Sequence, residues 1–369
     1  TLKQNHLMAN INSTITGSDT GDTLLGTATD QLIKGGSAGD SIGSNYSNSC
    51  LVGSGGADTF FANSKTPGLG ASSTVEGGSG ADSFSFGNYD LTSVALYGNQ
   101  DNDSFDLQGE LNTSSLYGGK GEDSIRLRDG INNAYLEANS GNDTFNIAGG
   151  VTSSSLHAGQ GDDTYNVSGT VSNSTLGGGS GADLLSFTKA VIGSTLDGGS
   201  GDSADTLSFG SSVVSSSLSG QDGNDSISLG KGLTNSTITG GSGNDTLNIS
   251  LNALNSSVLG GFGDDLISVD GSLSATSVFG ASGVDTITIS GNAIGSSQIY
   301  ANQGDDSFDV GGSVTNSSVF GGQGNDTLVV SGSVVGGNIE GNSGNDSISI
   351  GQQVSNALIA GGKGNDTLN

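Results

Sequence analysis

The sequence has almost none of the residues that stabilise or interrupt ordinary globular domains. Of 369 residues, one is proline, one is cysteine and none is tryptophan. A single cysteine, Cys50, excludes an intrachain disulfide and says little about the compartment. Apolar residues make up 31% of the chain, which is low for a chain that must close one globular core. Dividing the length into globular domains is therefore not informative here.

Positive charge is also scarce, with 9 lysines and arginines against 37 aspartates and glutamates and a formal net charge of −28. An acidic surface repels nucleic acid phosphates and anionic lipids, so we expect neither as a partner. No apolar run approaches membrane-spanning length, so we expect no membrane insertion. The charge excess points instead to cations, because carboxylates stacked in one column repel each other unless they are neutralised.

What the chain has in abundance is glycine, with 67 residues, arranged in one recurring pattern. The stretch Gly321 to Val330 shows it as GGxGxD followed by alternating apolar residues. A fixed period of this size predicts a solenoid. Aligned on the aspartate, the pattern recurs at Asp22, Asp40, Asp58, Asp82, Asp103, Asp123, Asp143, Asp163, Asp183, Asp205, Asp225, Asp245, Asp265, Asp285, Asp306, Asp326, Asp346 and Asp366.

Apolar residues at fixed positions around each aspartate predict two short strands per turn. The residues two and four positions after the aspartate alternate as in a strand, for example Phe145 and Ile147. A second strand is indicated by an apolar residue seven positions before it, as at Leu156. We therefore predict an all-β fold, a right-handed parallel β-roll or β-solenoid with about 20 residues per turn and one metal-binding corner.

The corner between the two strands often carries asparagine at one shared position. We expect these side chains to point inward and to form a hydrogen-bonded amide ladder along the stack, with a structural role. They are Asn133, Asn173, Asn235, Asn255, Asn316 and Asn356.

The spacing predicts a single repeat solenoid over residues 1–369. Residues 1–102 contain irregular repeats, and an insertion at 61–74 holds the sole proline, Pro67, which cannot donate to a strand ladder. Residues 103–369 follow the 20-residue period, with two extra residues before Asp205 and one before Asp306.

The chemistry of the glycine corner indicates calcium. Glycines allow a tight turn that aims carbonyl oxygens at one point, and the aspartate adds a hard anionic oxygen. One corner supplies fewer oxygens than the six to eight that calcium takes, but the next corner lies directly above it. Two adjacent corners together complete the shell.

GGxGxD followed by an apolar strand resembles the calcium-binding repeat of the RTX, or hemolysin-type, family over nearly the whole chain. The resemblance implies a parallel β-roll in which the aspartate is shared between two calcium ions and glycine carbonyls complete the coordination. The residues that it implies as ligands are Asp58, Asp82, Asp123, Asp143, Asp163, Asp183, Asp225, Asp245, Asp265, Asp285, Asp306, Asp326, Asp346 and Asp366, with Gly240, Gly241, Gly243, Gly321, Gly322 and Gly324.

One row of calcium ions is expected, because only one corner of each 20-residue turn has the pattern, whereas the family has paired nine-residue repeats. The glycine two positions before the aspartate is missing at Asp22, Asp40, Asp103 and Asp205, which makes ions beside them doubtful. The 18 corners leave 17 gaps, and 11 remain when gaps touching a defective corner are removed. Eleven divalent ions would change the net charge from −28 to −6.

We expect no enzymatic activity, because no nucleophile or acid–base set stands outside the repeat. His6 and His157 are the only histidines. Ice binding by the calcium side would need a flat, uniform threonine row in the middle of the GxG. That position instead holds residues as different as Lys120, Phe262 and Gln303, so we do not expect ice binding.

An acidic calcium-dependent repeat without a catalytic set resembles bacterial surface-layer and surface-fibril proteins, including the oscillin-type proteins of filamentous cyanobacteria. This implies an extracellular protein on the bacterial surface, exported by type I secretion, that associates with copies of itself into a fibril or layer. The alternative is a repeat module of a larger secreted adhesin, toxin or enzyme.

Overall fold

A computed structural model describes residues 13–44, 47–62 and 71–369, and these residues form only strands, turns and bends. The chain divides into two compact units, Thr1–Ser180 and Gly181–Asn369. Each is a right-handed parallel β-solenoid with about 20 residues per turn, which confirms the predicted fold class. The described part contains no helix, and so none with the length and apolarity needed to cross a membrane.

In the first unit three sheets run along the stack. Sheet A consists of Ser13–Thr16, Gln31–Lys34, Cys50–Gly55, Thr74–Ser79, Ala95–Gln100, Ser115–Lys120, Tyr135–Ser140, Ser155–Gln160 and Thr175–Ser180. Sheet B consists of Thr23–Leu25, Ser41–Gly43, Thr59–Phe61, Ser83–Ser85, Ser104–Leu107, Ser124–Leu127, Thr144–Ile147 and Thr164–Val167. Sheet C consists of Leu91–Thr92, Leu111–Asn112, Ile131–Asn132, Val151–Thr152 and Val171–Ser172.

The second unit repeats the same three sheets. Its sheet A has Thr195–Gly199, Ser217–Asp222, Thr237–Ser242, Ser257–Phe262, Ser277–Ser282, Gln298–Gln303, Ser318–Gln323, Asn338–Ser343 and Leu358–Lys363. Its sheet B has Leu184–Phe187, Thr206–Phe209, Ser226–Leu229, Thr246–Ile249, Leu266–Val269, Thr286–Ile289, Ser307–Val310, Thr327–Val330, Ser347–Ile350 and Thr367–Leu368. Its sheet C has Val191–Ile192, Val213–Val214, Leu233–Thr234, Ala253–Leu254, Leu273–Ser274, Ala293–Ile294, Val314–Thr315, Val334–Val335 and Val354–Ser355.

Within each unit a strand pairs in parallel with its equivalent in the next turn, and the register follows the spacing of the aspartates. In the regular part Leu116 pairs with Leu136, a step of 20 residues. In the first turns Ser13 pairs with Gln31, and the step from Cys50 to Thr74 is the longest. That long step contains most of the insertion expected at 61–74, of which residues 63–70, with Pro67, lie outside the described residues.

Apolar columns fill the interior between the sheets. The position two after the aspartate is buried in every turn but the last, as at Phe145 and Leu247, and the position four after it is buried from Asp82 to Asp326, as at Ile147 and Ile249. The column seven before the aspartate, which includes Leu156, faces them from sheet A. A period of two therefore places the same side of each strand inward in every turn.

The structure adds a third strand to the two predicted for each turn. From Leu91 onward each turn has a two-residue strand of sheet C, which begins with a buried apolar residue such as Val151 or Val314 in every turn but the last. The column of apolar residues eight after the aspartate is visible in the sequence. Two residues are too few to show alternation, so periodicity alone could not identify this strand.

The prediction of an inward amide ladder at the asparagine corner is wrong. Asn133, Asn173, Asn235, Asn255, Asn316 and Asn356 are exposed and have positive φ angles between 48 and 51°. Asparagine is among the few non-glycine residues that tolerate this left-handed conformation. The buried ladder at this corner is formed by the next residue, where the backbone N–H of Ser154 donates to Ser174 Oγ at 3.1 Å.

Aromatic rings stack between turns inside the first unit. Phe84 lies 4.3 Å from Phe105, centroid to centroid, and both are fully buried. We expect Phe105→Ala to cost about 3–5 kcal/mol of local stability, because the neighbouring turns cannot collapse into the cavity. Hydrogen exchange of the flanking strands would measure the loss. The control is Phe262→Ala at a 70% exposed ring, for which exchange should hardly change; equal losses would contradict this account of the core.

Candidate metal-binding ladder

The recurring aspartates form a continuous ladder within each unit. The backbone N–H of one aspartate donates a hydrogen bond to Oδ1 of the aspartate one turn later, as from Asp123 to Asp143 at 2.6 Å and from Asp245 to Asp265 at 2.8 Å. These side chains are buried from Asp40 to Asp346, whereas Asp366 in the last turn is only half-buried. The ladder thus holds one carboxylate per turn in a fixed orientation.

The second carboxylate oxygen, Oδ2, behaves differently from Oδ1. In twelve described aspartates it is buried and has no hydrogen-bond partner. A buried carboxylate oxygen without a donor or cation is strongly unfavourable. The twelve are Asp58, Asp82, Asp103, Asp123, Asp143, Asp225, Asp245, Asp265, Asp285, Asp306, Asp326 and Asp346.

Glycine at the start of the corner leaves room for a second oxygen beside Oδ2. A side chain at Gly240 would collide with Asp245 Oδ2 and would come within 2.6 Å of the carbonyl oxygen of Gly260 in the next turn. Gly321 has the same surroundings, formed by Asp326 Oδ2 and the Gly341 carbonyl. Oxygens from adjacent turns therefore converge on one space.

The next two glycines keep further carbonyl oxygens close to the following turn. Gly241 and Gly243 have φ angles of +131° and +123°, and a side chain at either would collide with the carbonyl oxygen of its equivalent one turn earlier. Gly322 and Gly324 repeat this arrangement at +125° and +131°. All six glycines whose carbonyl oxygens were expected to bind calcium thus lie where backbone oxygens and the aspartate ladder meet.

The first two corners satisfy Oδ2 with the protein's own donors. Asp22 Oδ2 accepts from the Ser18 backbone N–H at 2.5 Å and from the Ser18 hydroxyl at 2.8 Å. Asp40 Oδ2 accepts from the Gly36 N–H at 2.8 Å. Both corners lack the third glycine of the pattern. Asp103 also lacks it, with Asp101 in its place, yet its Oδ2 belongs to the partnerless set.

Burial raises the pKa of most ladder carboxyls well above the usual 3.8. Desolvation raises the pKa of Asp103 and Asp143 to about 8, against the lowering effect of the backbone N–H that each accepts, and neighbouring ladder charges add to the rise. The pKa of Asp245 is raised to about 7 by the same causes. At Asp22 the two Ser18 hydrogen bonds lower the pKa instead. Ionised ladder carboxylates are therefore unstable without a positive partner.

The atoms around these carboxylates that could bind a metal ion are oxygens. Within the described ranges, no three histidine, cysteine, aspartate or glutamate side chains gather at one point. Each turn instead offers one carboxylate and several backbone carbonyls. Hard oxygen donors suit calcium, whereas zinc and copper prefer nitrogen and sulfur. The residues therefore fit a calcium ion between adjacent corners.

A second polar ladder, which the sequence reading did not separate from the first, lies on the surface beside it. The residue before each aspartate is often Asn or Asp, and its Oδ1 accepts the backbone N–H of its equivalent one turn later. Asn224 accepts in this way from Asn244 at 2.7 Å, and Asp264 accepts from Val284 at 2.7 Å. The repeated Asn-Asp and Asp-Asp pairs were the signal for it.

Comparisons with known proteins do not place the chain in a family. No family model and no curated protein matches it. One solved structure that is similar is the X-ray structure of a hyperactive, Ca²⁺-dependent, β-helical antifreeze protein from an Antarctic bacterium. The identity is 22%, the match covers 92% of this chain and 84% of that one, and the TM-score is 0.40. A similarity at this level carries no argument about function, so membership of the RTX family and the likeness to oscillin-type proteins stay predictions.

Proposed function

We propose that the chain is a structural β-solenoid stabilised by a row of calcium ions, which bind between adjacent aspartate corners. The observation that carries this proposal is the set of twelve buried Oδ2 atoms without a hydrogen-bond partner described above, which includes Asp58, Asp245 and Asp346. In several corners a carbonyl oxygen of the next turn borders the same space as Oδ2, as the Gly260 carbonyl does beside Asp245. Oxygens that converge without a donor between them repel each other, and a divalent cation is what such a space accommodates.

The ladder aspartates would hold each ion in cooperation with the glycine carbonyls. Bound calcium would supply the positive charge that ionised carboxylates need in a buried position. Oδ1 is occupied by the backbone N–H of the previous turn, which fixes the carboxylate and leaves Oδ2 as the ligand. The expected 11 to 17 ions in one row would change the net charge from −28 to between −6 and +6.

Asp245→Asn tests the proposal at one rung. The amide keeps an oxygen for the backbone N–H of Asp225 but removes the charge at Oδ2. We expect the variant to bind one or two fewer calcium ions than the unmodified chain and to fray locally. An ion present at 1,000 times its Kd contributes about 4 kcal/mol, so loss of one exposes the adjacent turns to hydrogen exchange. Equilibrium dialysis with metal analysis gives the ion count.

The matched control is Asp205→Asn. Asp205 is equally buried and takes part in the same ladder, but it does not belong to the set with a partnerless Oδ2, and its corner contains the two-residue insertion. We expect this variant to lose less than one ion. Equal losses of calcium in the two variants would contradict the assignment of Oδ2 as the ligand.

We further propose that the folded chain associates with copies of itself into a fibril or layer on the bacterial surface. In the second unit Phe262, Leu266 and Val284 are 70%, 45% and 53% exposed, and they surround two consecutive corners. Once calcium has reduced the charge, repulsion between copies is weak and this apolar cluster favours contact. Electron microscopy with millimolar calcium should show assemblies that Phe262→Ser with Val284→Ser prevents. Dispersed single particles at high concentration would favour the alternative of a repeat module in a larger secreted protein.

Absence of enzymatic activity and an extracellular location belong to the same proposal. Ser155 Oγ lies 2.9 Å from His157 Nε2, as in a nucleophile–base pair. The acid that would complete such a catalytic set, Glu137 on the adjacent strand, instead accepts a hydrogen bond from the Tyr135 hydroxyl at 2.8 Å. Burial, with the nearby Glu76 charge, raises the pKa of the Cys50 thiol to about 11, so it is not a nucleophile at neutral pH. Millimolar extracellular calcium would fold the chain after export, which supports a location outside the cell.

A further inference from the structure

The outer face of sheet A carries the same three-strand arrangement of side chains twice, once in each unit. In the first unit three outward columns read Tyr97, Tyr117, Glu137, then Asn99, Gly119, Asn139, then Gln100, Lys120, Ser140. In the second unit they read Tyr300, Phe320, Glu340, then Asn302, Gly322, Asn342, then Gln303, Gln323, Ser343. Seven of the nine positions are identical.

The two copies also share their geometry. The rings of Tyr97 and Tyr117 stack at 4.9 Å with an interplanar angle of 2°, and those of Tyr300 and Phe320 stack at 4.9 Å and 11°. Backbone φ angles in the middle column are 83, 123 and 79° in the first copy and 83, 125 and 75° in the second. The duplication is therefore structural as well as sequential.

Simple duplication of a segment does not explain why the outer face is the shared part. The buried residues on the same six strands differ, because Leu96, Leu116 and Leu136 of the first copy correspond to Ile299, Val319 and Ile339 of the second. Three core positions thus vary between the copies while seven of the nine outer positions are retained; the column at the start of the strands differs, with Ala95 and Tyr135 in the first copy against Gln298 and Asn338 in the second. If core packing alone had preserved the two copies, the core residues would be retained and the surface residues would vary.

The asparagines of the middle column carry a conformational cost. Most other turns have glycine at this position, as at Gly159 and Gly241, and glycine adopts a positive φ without a steric penalty. A non-glycine residue is disfavoured there, although asparagine is tolerated better than most. Asn302 and Asn342 nevertheless adopt this backbone conformation, and within the described structure no side-chain hydrogen bond compensates for it. Their carboxamides therefore stand free to bind a ligand.

In the second copy these residues line an open groove of about 510 Å³. Asn302 and Asn342 lie on either side of Gly322 in this groove, and Tyr300, Phe320, Gln303 and Gln323 also line it. The volume is within the range of small-molecule sites. The lining has no charge, although the chain as a whole carries −28.

We propose that the groove of the second copy and the matching surface of the first copy each bind a neutral saccharide unit. Aromatic rings offer apolar surface to the C–H face of a pyranose ring, and carboxamides donate and accept hydrogen bonds as adjacent hydroxyls require. The aromatic stack ends at Phe320, because Glu340 takes the next position in the column, so one face of this ring lacks an aromatic neighbour. The uncharged lining of the second groove offers no cation to an anionic sugar, whereas the first copy has Lys120 in the place of Gln323. This proposal rests on the outer face of sheet A and not on the metal ladder.

The test uses the full calcium-loaded chain with cellohexaose, maltohexaose and chitohexaose as neutral probes and hexagalacturonate as the charged one. Saturation-transfer NMR and calorimetry should detect at least one neutral probe with a Kd of about 1 mM, as suits an open groove, and two sites per chain. Circular dichroism confirms that each variant is folded.

Replacement of Asn99, Asn139, Asn302 and Asn342 by glycine removes the carboxamides and suits the positive φ angles, so the fold should be unaffected. We expect this variant to bind at least tenfold more weakly, and Phe320→Ala alone to reduce the stoichiometry from two to one. The control is Phe279→Ala, which lies in the same aromatic column, stacked 5.3 Å from Tyr300, but outside the groove lining. Its binding should be unchanged.

Four results would overturn the proposal. They are absence of binding by every neutral probe at 10-fold the expected Kd, binding by hexagalacturonate alone, unchanged binding by the glycine variant, or equal weakening by Phe279→Ala and Phe320→Ala.

Discussion

Treatment with excess EDTA at pH 8 is expected to abolish most of the β-sheet signal of the chain, and millimolar calcium is expected to restore it. Consecutive ladder carboxylates lie about one strand spacing apart, which is about 4.8 Å. Two unit charges at that distance repel by about 3 kcal/mol at an effective dielectric constant of 20. With this term repeated from Asp58 to Asp346, the sum exceeds the stability of about 5–15 kcal/mol that folded domains have.

Glycine makes the calcium-free state still less favourable. Three glycines per corner have high conformational entropy to lose on folding, and two of them must adopt positive φ. Magnesium is the control ion, because it prefers octahedral coordination and retains its waters, and we expect it to restore much less structure. Circular dichroism follows both titrations. A spectrum that is the same in calcium and in excess chelator would show that the turns are stable without metal.

Low pH is expected to stabilise the calcium-free fold in part, because protons neutralise the ladder carboxylates as calcium does. In the folded chain the pKa values of twelve ladder carboxyls are raised, chiefly by burial, to between about 6, as at Asp326, and about 8, as at Asp143, against an ordinary value of 3.8. The folded state therefore binds protons more tightly than the unfolded state. This contribution to stability is fully present below pH 3.8 and is lost as the pH rises through 6 to 8.

The calcium-free chain should accordingly be unfolded at pH 8 and regain β-sheet at pH 5. Each unit of pKa difference between the folded and unfolded states corresponds to about 1.4 kcal/mol, and a dozen carboxyls contribute. The calcium-loaded chain is the control, and its stability should fall on acidification because protons compete with the metal for the same carboxylates. Far-UV circular dichroism at pH 5 and pH 8, with and without EDTA, separates the two cases. More structure at pH 8 than at pH 5 in EDTA would contradict the burial of these groups.

The interior of the solenoid could be predicted because its signals repeat at fixed positions. Phe145, Ile147 and Leu156 each belong to a column that is apolar in nearly every turn, and a column repeated so often fixes which face is inward. Sheet C was missed because its two-residue strands, such as Val151–Thr152, are too short to show a period. The asparagine corner was misread because a positive φ and an inward amide ladder both favour asparagine, and composition does not distinguish them.

The candidate site was predictable to the level of residue type and not to the level of single atoms. Spacing brought the aspartates into one column, but only the structure separates Oδ1, which accepts a backbone N–H, from Oδ2, which does not. Asp103 illustrates the limit, because its corner lacks the expected glycine although its carboxylate is placed like those of intact corners. The duplicated outer face of sheet A could not be recognised in the sequence, because its nine positions are spread over three turns and form one surface only when the strands pair.

The most direct test of the calcium ladder is a crystal structure of the calcium-loaded chain with anomalous diffraction data collected to locate the metal. The account predicts a single row of peaks, one between each pair of intact corners, with Oδ2 of residues such as Asp245 and Asp326 among the ligands at about 2.3–2.6 Å. The corners of Asp22 and Asp40 should lack a peak between them, because Ser18 and Gly36 already satisfy their Oδ2 atoms. A well-ordered structure with water or no density beside the buried Oδ2 atoms would contradict the central claim.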